Sequence, residues 1–257
     1  MISVYKIGGN VIDDADALES FLKDFSRLPG RKILVHGGGK LATRLGESLG
    51  VEATMIDGRR VTDARTLDIV TMVYAGLINK RIVAVLQKND CDAIGLTGAD
   101  ANMITAVRRS PEPVDYGYVG DISVSGVNVK AIGNLLDNGV TPVFCAITHD
   151  GRGSLLNCNA DSIATAVATA MSRCMPARLV FCFEKPGVLA NVDDPSSVVP
   201  VITPDIYRSM LDDGLVSHGM IPKIENALKA VADGVESVTI RCSDNITVPS
   251  GTVITLS

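Results

Sequence analysis

KILVHGGGKLATRLGESLG, residues 32–50, joins a short apolar run to an amphipathic run through three consecutive glycines. The apolar run at 32–35 is typical of a buried strand. Leu41, Leu45 and Leu49 then recur four residues apart, which predicts a helix with one apolar stripe. A strand, a glycine turn and a helix in this order predict one βα unit of a parallel sheet.

The three glycines raise the question of a phosphate-binding loop. A Walker A loop needs G-x-x-x-x-G-K-[ST], but Lys40 is followed by Leu41, and Leu34 stands where the first glycine is required. The dinucleotide pattern G-x-G-x-x-G is not matched either, which disfavours a dehydrogenase. A plain tight turn would explain one or two glycines. Three predict a loop whose backbone approaches a ligand at a helix N-terminus, where N–H groups are free.

The alternation of strand and helix extends over the rest of the chain. Strand-like runs occupy residues 2–7, 93–98, 140–147, 178–183 and 237–241, with a closing run, GTVITL. A long helical region is predicted over 64–88 and an antiparallel ribbon within 103–125. These elements predict an α/β fold, a three-layer αβα sandwich around a mainly parallel central sheet. A division into two lobes is expected between residues 148 and 176.

Composition limits the classes of function. The 257 residues are 46% hydrophobic and carry a net charge of −5, which argues against a general nucleic-acid or anionic-membrane surface. No secretory signal and no uninterrupted apolar run of about 18 residues is present, so we expect a cytoplasmic protein without a membrane span. The six cysteines form no C-x-x-C pair, which predicts reduced, buried thiols and neither a metal site nor a disulfide framework.

Charged residues in unfavourable places indicate a site for an anion. Lys6 interrupts an apolar strand just before two glycines, and Lys223 lies in the first turn of a predicted helix, where the helix dipole disfavours a cation. Asp161 opens another helix, and Arg59 and Arg60 follow a short apolar run. An arginine can bind a carboxylate through two hydrogen bonds. Each residue also has a plain alternative: a solvent-edge lysine, a dipole-stabilised aspartate or a surface arginine pair.

The ordered set YKIGGN, VHGGGK, GRRVTD, LNCNADSIA, GMIPKIENAL and GTVI resembles the N-acetylglutamate kinases of the amino acid kinase superfamily. The resemblance runs from Lys6 to the last strand. It implies ATP-dependent phosphorylation of the γ-carboxylate of an N-acyl-L-glutamate, the second step of arginine biosynthesis. It further implies Mg²⁺ carried by the nucleotide and a homodimer. The lobe at about 1–175 would bind the acyl amino acid, and the lobe at about 176–257 the nucleotide.

The resemblance also implies roles for single residues. Lys6 and Lys223 would be catalytic, stabilising the transferring phosphoryl group, and Asp161 would orient these lysines. The acylated glutamate would be bound by Gly38, Gly39, Arg60 and Asn157. The nucleotide phosphates would lie beside Gly8 and Gly9, and no metal is expected on protein ligands. Because a γ-carboxylate is already ionised at neutral pH, the reaction needs no general base, and His36, His149 and His218 are expected to be structural.

Some positions depart from the family pattern. In CFEKPGVLAN, residues 182–191, the Phe183-Glu184-Lys185 region departs from the family pattern, which commonly has a Thr-Asp or Ser-Asp pair before x-x-G-V, and this leaves the adenine pocket undefined. Lys40 and Arg59 are additional cations, and an acyl group with an extra negative charge, such as succinyl, would suit them. Another amino acid kinase activity and a non-catalytic sensor remain alternatives. Arginine-inhibited members carry an N-terminal helix before the first strand, so inhibition by arginine is not expected.

Overall fold

Strands and helices alternate over the residues that the computed structural model describes, which are 1–56, 58–191, 193–213, 215 and 220–257. The strands are β1 (Ile2–Ile7), β2 (Arg31–His36), β3 (Met55–Ile56), β4 (Arg59–Arg60), β5 (Ala93–Leu96), β6 (Ile104–Arg108), β7 (Gly120–Val127), β8 (Thr141–Cys145), β9 (Ile147–His149), β10 (Leu155–Asn157), β11 (Ala177–Phe183), β12 (Val201–Ile202), β13 (Ser237–Cys242) and β14 (Thr252–Ile254). The α-helices are α1 (Gly9–Asp13), α2 (Ala15–Arg27), α3 (Gly39–Ser48), α4 (Ala64–Thr71), α5 (Asn79–Lys88), α6 (Val129–Asp137), α7 (Ala160–Ser172), α8 (Pro204–Asp212) and α9 (Ile221–Ala232). A π-helical segment, Met72–Ile78, joins α4 to α5, and a 3-10 turn covers Asp100–Asn102.

The central sheet has eight strands in the order β12-β14-β13-β11-β1-β2-β8-β5. Every neighbouring pair in it is parallel except β13 with β14, so the predicted mainly parallel sheet is confirmed. The four strands on the β1 side all precede the predicted lobe boundary, and the four on the β11 side all follow it. The assignment of one substrate to each half stays a prediction.

Helices cover both faces of this sheet. Tyr5 packs edge-on against Phe25 of α2, with ring centroids 5.4 Å apart. The next residue, Lys6, contacts Asp161 of α7 on the opposite face, because successive side chains of a strand alternate between faces. Helix α5 contacts α2, and α6 contacts α7, so each face carries a helical layer. The three-layer αβα architecture predicted from the sequence is therefore confirmed.

Helix α7 carries its own start signal and fits closely against the sheet. The Asn159 side chain accepts hydrogen bonds from the backbone N–H groups of Asp161 and Ser162, which caps the helix. Ala164, Ala168 and other small residues are buried along it. Short side chains let the helix approach β1 and β11, which it contacts. The cap thus fixes Asp161 at the carboxyl end of the central strands.

Two smaller sheets and one divided strand complete the fold. The order β10-β9-β6-β7 forms a four-stranded sheet, in which β6 and β7 are the predicted antiparallel ribbon, and β3 pairs with β4. The prediction of one strand over 140–147 was wrong. Residues 141–145 join the central sheet as β8, whereas 147–149 leave it and pair with β10 as β9.

The helical region predicted over 64–88 is present but contains the unpredicted π-helical segment in its middle. By length and composition alone this stretch could cross a membrane. Ile69, Val73, Ile78, Ile82 and Leu86 are instead buried in the protein core, which explains the apolar composition of one side of the stretch.

All six cysteines are free, as predicted for thiols that are reduced. Cys91, Cys145, Cys158 and Cys182 are buried, and burial raises the pKa of the Cys145 thiol to about 12 and that of Cys158 to about 11. The prediction that every thiol is buried was wrong for two positions. Cys174 is exposed just after α7, and Cys242 is half-buried at the end of β13.

Candidate active site

An ion pair between a buried lysine and a half-buried aspartate lies where β1 meets the start of α7. The Nζ atom of Lys6 is 2.7 Å from Oδ1 of Asp161, and the lysine side chain is 10% exposed. Among the described residues Oδ1 receives no hydrogen bond of good geometry, so its contact with Lys6 is chiefly one of charge. A lysine inside a sheet needs such a partner because an unpaired buried ammonium is unfavourable. The sheet therefore holds one ammonium and one carboxylate at its carboxyl edge.

Lys223 reaches the same place from the other half of the chain. It lies in the first turn of α9, and its Nζ atom is 4.3 Å from the centroid of the Phe183 ring. The Nζ atom of Lys6 is 5.1 Å from the same centroid. Among described residues Lys223 has no carboxylate partner within ion-pair distance. The two lysines, far apart in sequence, thus converge above one aromatic ring.

The glycine turn at residues 37–39 packs against the π-helical segment. Gly38 has φ +151°, a backbone conformation that side chains disfavour, and a Cβ atom there would lie 2.1 Å from Cδ1 of Ile78. Gly37 faces Ala160, and Gly39 faces Arg60. The turn therefore needs glycine for close packing on one side, and it presents a surface without side chains at the start of α3.

His36 supports this turn from below. Asn79 donates from Nδ2 to Nε2 of His36 at 3.0 Å, so Nδ1 carries the ring hydrogen and donates to the Gly37 carbonyl at 2.8 Å. Complete burial lowers the pKa of His36 to about 4, and the imidazole is neutral at neutral pH. Asn79 also donates to the Val143 carbonyl of β8. A network of buried hydrogen bonds therefore fixes the orientation of the first glycine peptide.

Arg60 and Asn157 form the opposite wall of a cleft over the glycine turn. Arg60 donates from Nη2 to the Gly39 carbonyl at 2.9 Å and to Oγ1 of Thr43 at 2.7 Å. Asn157 is buried and donates from Nδ2 to Oγ1 of Thr62 at 3.0 Å. The cleft has a volume of about 250 Å³. Seven of the predicted site residues line it: Lys6, Gly9, Gly38, Gly39, Arg60, Asn157 and Asp161.

A second, larger cleft of about 920 Å³ opens beside the first, between α7 and α9. Lys223 lines this second cleft, and Asp161 and Arg59 line both. The predicted residue Gly8 lines neither cleft and instead donates its backbone N–H to the Cys182 carbonyl at 2.9 Å. The structure thus brings the lysines, Asp161 and the acceptor-side residues to one region at the edge of the central sheet.

The additional cations occupy different places. Lys40 donates to Oδ1 of Asn10, near the start of α1, and it does not line the first cleft. Arg59 does line it, and the side chain of Arg59 makes no hydrogen bond or ion pair with any described residue. Of the two, Arg59 is the one that lines the first cleft. His218 lies outside the described residues.

Two residues of the site were not predicted from the sequence. Tyr74, from the π-helical segment, lines the first cleft, and burial raises its pKa while nearby Arg60 lowers it in part. Phe183 lies under the lysines. Neither residue belongs to a local motif, since each reaches the site through packing between distant elements. Only the departure of Phe183 from the family pattern could have directed attention to it.

Among the described residues no three His, Cys, Asp or Glu side chains are grouped as metal ligands. Among the described residues that line the first cleft, Asp161 is the one carboxylate, and Lys6 already pairs with it. These residues would suit a magnesium ion held by nucleotide phosphates and water.

The sequence model of the amino acid kinase family matches residues 1–242 of this chain. The chain belongs to the amino acid kinase family. It is 52% identical over 238 residues to an acetylglutamate kinase of Cytophaga hutchinsonii, covering 92% of this chain and 89% of that protein. It is 49% identical over 253 residues to an acetylglutamate kinase of Phocaeicola vulgatus, covering 98% of each. The solved structure of smu.665 from Streptococcus mutans superposes with a TM-score of 0.78 at 30% identity, covering 100% of this chain and 99% of that one. The family resemblance predicted from the motifs is therefore confirmed.

Proposed function

We propose that this amino acid kinase transfers the γ-phosphoryl group of ATP to the γ-carboxylate of N-acetyl-L-glutamate, a step of arginine biosynthesis. The high identity to acetylglutamate kinases over nearly the whole chain supports this substrate. The single structural observation that carries the proposal is the convergence of Lys6 and Lys223 beside Asp161 at the edge of the glycine cleft. Two cations next to an uncharged, glycine-lined surface suit a phosphoryl group between two oxygen atoms.

The first cleft supports a role in binding the acceptor. Gly38 and Gly39 would direct backbone N–H groups at the substrate, because they start α3 and have no side chains in the way. Arg60 would bind a carboxylate of the acylated glutamate, exchanging its present contacts with Gly39 and Thr43. Asn157, on the same wall of the cleft as Arg60, would bind the amide or a carboxylate of the substrate.

The reaction requires alignment and charge neutralisation. An oxygen of the ionised γ-carboxylate attacks the γ-phosphorus, the bond from that phosphorus to the bridging oxygen breaks, and ADP leaves with the electron pair. Lys6 and Lys223 would neutralise the charge on the transferring oxygens, while Asp161 holds the Lys6 ammonium in place. No proton has to be removed from the acceptor, which agrees with a neutral, fully hydrogen-bonded His36 that takes no part in proton transfer.

The nucleotide would approach from the β11 side of the sheet. Gly8 and Gly9 follow β1 at the same edge as the lysines, and we propose that the phosphates lie beside them. Bound magnesium would add positive charge to the phosphate oxygens. The chain's own contribution is the pair of lysines and the backbone of the glycine turn.

Arg59 bears on which acyl group the substrate carries. Its guanidinium lines the first cleft without a described partner, so an acyl group with a second carboxylate, such as succinyl, would find a cation there. Lys40 is directed at Asn10 and offers less support for this alternative. Comparing kcat/KM for N-acetyl- and N-succinyl-L-glutamate, in the wild type and in Arg59→Gln, decides between them. A strong acetyl preference that Arg59→Gln leaves unchanged would eliminate the succinyl alternative.

The main test is ATP consumption with glutamate, aspartate and N-acylglutamates, the acyl phosphate being trapped with hydroxylamine. Turnover of free glutamate or aspartate alone would favour another amino acid kinase activity. Absence of turnover with every substrate would favour a non-catalytic sensor. Turnover only with N-acylglutamates is the result we expect.

We also propose that the protein forms a homodimer in the cytoplasm. Strand β5 is an edge of the central sheet, and Ile94 on it is 38% exposed. The helical region that packs on this edge exposes Met72 and Leu77. Exposed apolar side chains beside a free sheet edge are suited to contact with a second copy. Light scattering coupled to size-exclusion chromatography tests this, and a monomer at micromolar concentration would refute it.

A further inference from the structure

Phe183 occupies a position that the chemistry of the reaction does not by itself require. It is the last residue of β11, and its ring lies beneath the ammonium groups of both Lys6 and Lys223, at 5.1 Å and 4.3 Å from the centroid. An aromatic ring in this place therefore changes the surroundings of both lysines.

The half-buried ring of Phe183 is contacted from two directions. Phe183 stacks on Phe181, two residues earlier on the same face of β11, with centroids 6.1 Å apart and planes at 16°. The backbone of Gly8 also packs against the Phe183 ring, since a Cβ atom on Gly8 would lie 3.4 Å from Cδ1 of Phe183. A stacked ring against a backbone turn has little freedom to move away from the lysines.

The electrostatics explain what such a ring can do. Two ammonium groups beside the same ring repel, and in the part of the chain that the structure describes the carboxylate of Asp161 is in ion-pair contact with Lys6 and not with Lys223. The face of an aromatic ring carries partial negative charge and attracts a cation within about 6 Å. Unlike a second carboxylate, a neutral ring does not repel the phosphates of an incoming nucleotide.

We propose that Phe183 is a positioning residue that holds the ammonium groups of Lys6 and Lys223 at the point of phosphoryl transfer. This inference rests on the catalytic roles proposed for the two lysines. Phe183 itself touches neither reacting atom in this scheme. It acts through the lysines, which it holds in position before ATP binds and releases to the phosphate oxygens in the transition state.

A series of fluorinated phenylalanines at position 183 tests the proposal. Replacing Phe183 by 4-fluoro-, 3,5-difluoro- and 3,4,5-trifluorophenylalanine weakens the negative face of the ring stepwise with little change in shape. We expect log(kcat/KM) for ATP to fall steadily with the number of fluorines, by about tenfold in total. A ring that served only as packing would give no graded dependence.

Phe181 provides the matched control because it stacks on the same ring and, in the part of the chain that the structure describes, has no lysine ammonium over it. The same fluorinated series at position 181 should leave kcat/KM within about twofold of the wild type. An equal, graded fall at both positions, or no fall at position 183, would overturn the proposal.

Replacing Phe183 by other standard amino acids provides an independent test. Phe183→Leu should lower kcat/KM for ATP while thermal unfolding stays cooperative, and Phe183→Tyr should restore most of the activity because its ring keeps a negative face. Loss of activity in Lys6→Met and Lys223→Met together with a flat fluorine series would reject the role of Phe183 alone. Full activity in both lysine variants would reject the proposed function as well.

Discussion

Acidification should lower the free energy of unfolding of this protein, in part because His36 becomes protonated in the unfolded state. The side chain is buried, accepts a hydrogen bond from Asn79 and donates one to the Gly37 carbonyl, and its pKa lies at about 4 instead of 6.5. The folded state therefore keeps the ring neutral while the unfolded chain takes up a proton below pH 6.5. The stabilising contribution is complete above pH 6.5 and is lost as the pH falls from 6.5 towards 4.

The size of this loss of stability follows from the pH interval in which His36 is protonated in the unfolded state but not in the folded state. Between pH 6.5 and about pH 5 this interval spans roughly 1.5 pH units, which corresponds to about 2 kcal/mol. We would measure the free energy of unfolding by urea titration at about pH 7.5 and about pH 5. The variant His36→Asn, which keeps a donor near the Gly37 carbonyl but cannot be protonated in this range, is the comparison.

Carboxylates such as those of Asp63 and Asp150, whose pKa values are lowered by backbone hydrogen bonds, also lose stabilising interactions in acid, but they do so equally in both proteins. The wild type should therefore lose about 2 kcal/mol more than His36→Asn over the same pH change. Equal losses in the two proteins would show that the fold does not hold His36 neutral. The hydrogen bond from Nδ1 of His36 would then not fix the Gly37 peptide as described.

Three further changes test the site. Gly38→Ala should destabilise the fold by more than about 2 kcal/mol and abolish turnover, because its Cβ atom would overlap Ile78; thermal unfolding and steady-state kinetics measure both effects. Lys6→Met should lower kcat at least about a hundredfold in the ATP assay, since the transition-state charge loses a cation. Arg60→Lys should raise KM for N-acetylglutamate roughly tenfold and leave KM for ATP unchanged, because a lysine cannot bind a carboxylate in the same two-point manner.

Each of these changes has a control. Gly133→Ala in α6 meets open space and should keep both activity and stability, so a loss there like that of Gly38→Ala would point to a general intolerance of alanine. Lys88→Met removes a surface lysine that pairs with Glu19 and should leave kcat unchanged. A parallel rise of KM for ATP in Arg60→Lys would contradict the assignment of Arg60 to the acceptor.

Local patterns in the sequence predicted much of the fold. The strand at 32–35, the glycine turn and the leucine stripe are all local signals, and they correctly predicted β2 and α3. Lys6 and Lys223 could be recognised because each contradicts the preference of its own element. The parallel sheet then brings β1 and the start of α7 to one edge, so their convergence follows from topology.

Other features depended on contacts that no local pattern records. The division of residues 140–147 into β8 and β9 is set by two different partner strands, and the π-helical segment with Tyr74 is matched to the glycine turn it packs against. The position of Phe183 under two lysines requires β1, β11 and α9 to be assembled. Such features are properties of the packed molecule and cannot be read from one segment.

The pairing of β1 with β11 also determines when the enzyme can become active during its synthesis. Ile2 lies opposite Ala177, so β1 leaves the ribosome long before its neighbour β11 has been synthesised. Contacts this distant in sequence form slowly, because a long loop must close first. Catalytic competence should therefore arise late, together with protection of the β11 amides. Pulsed hydrogen exchange during refolding would reveal this order, and activity that preceded β11 protection would contradict it.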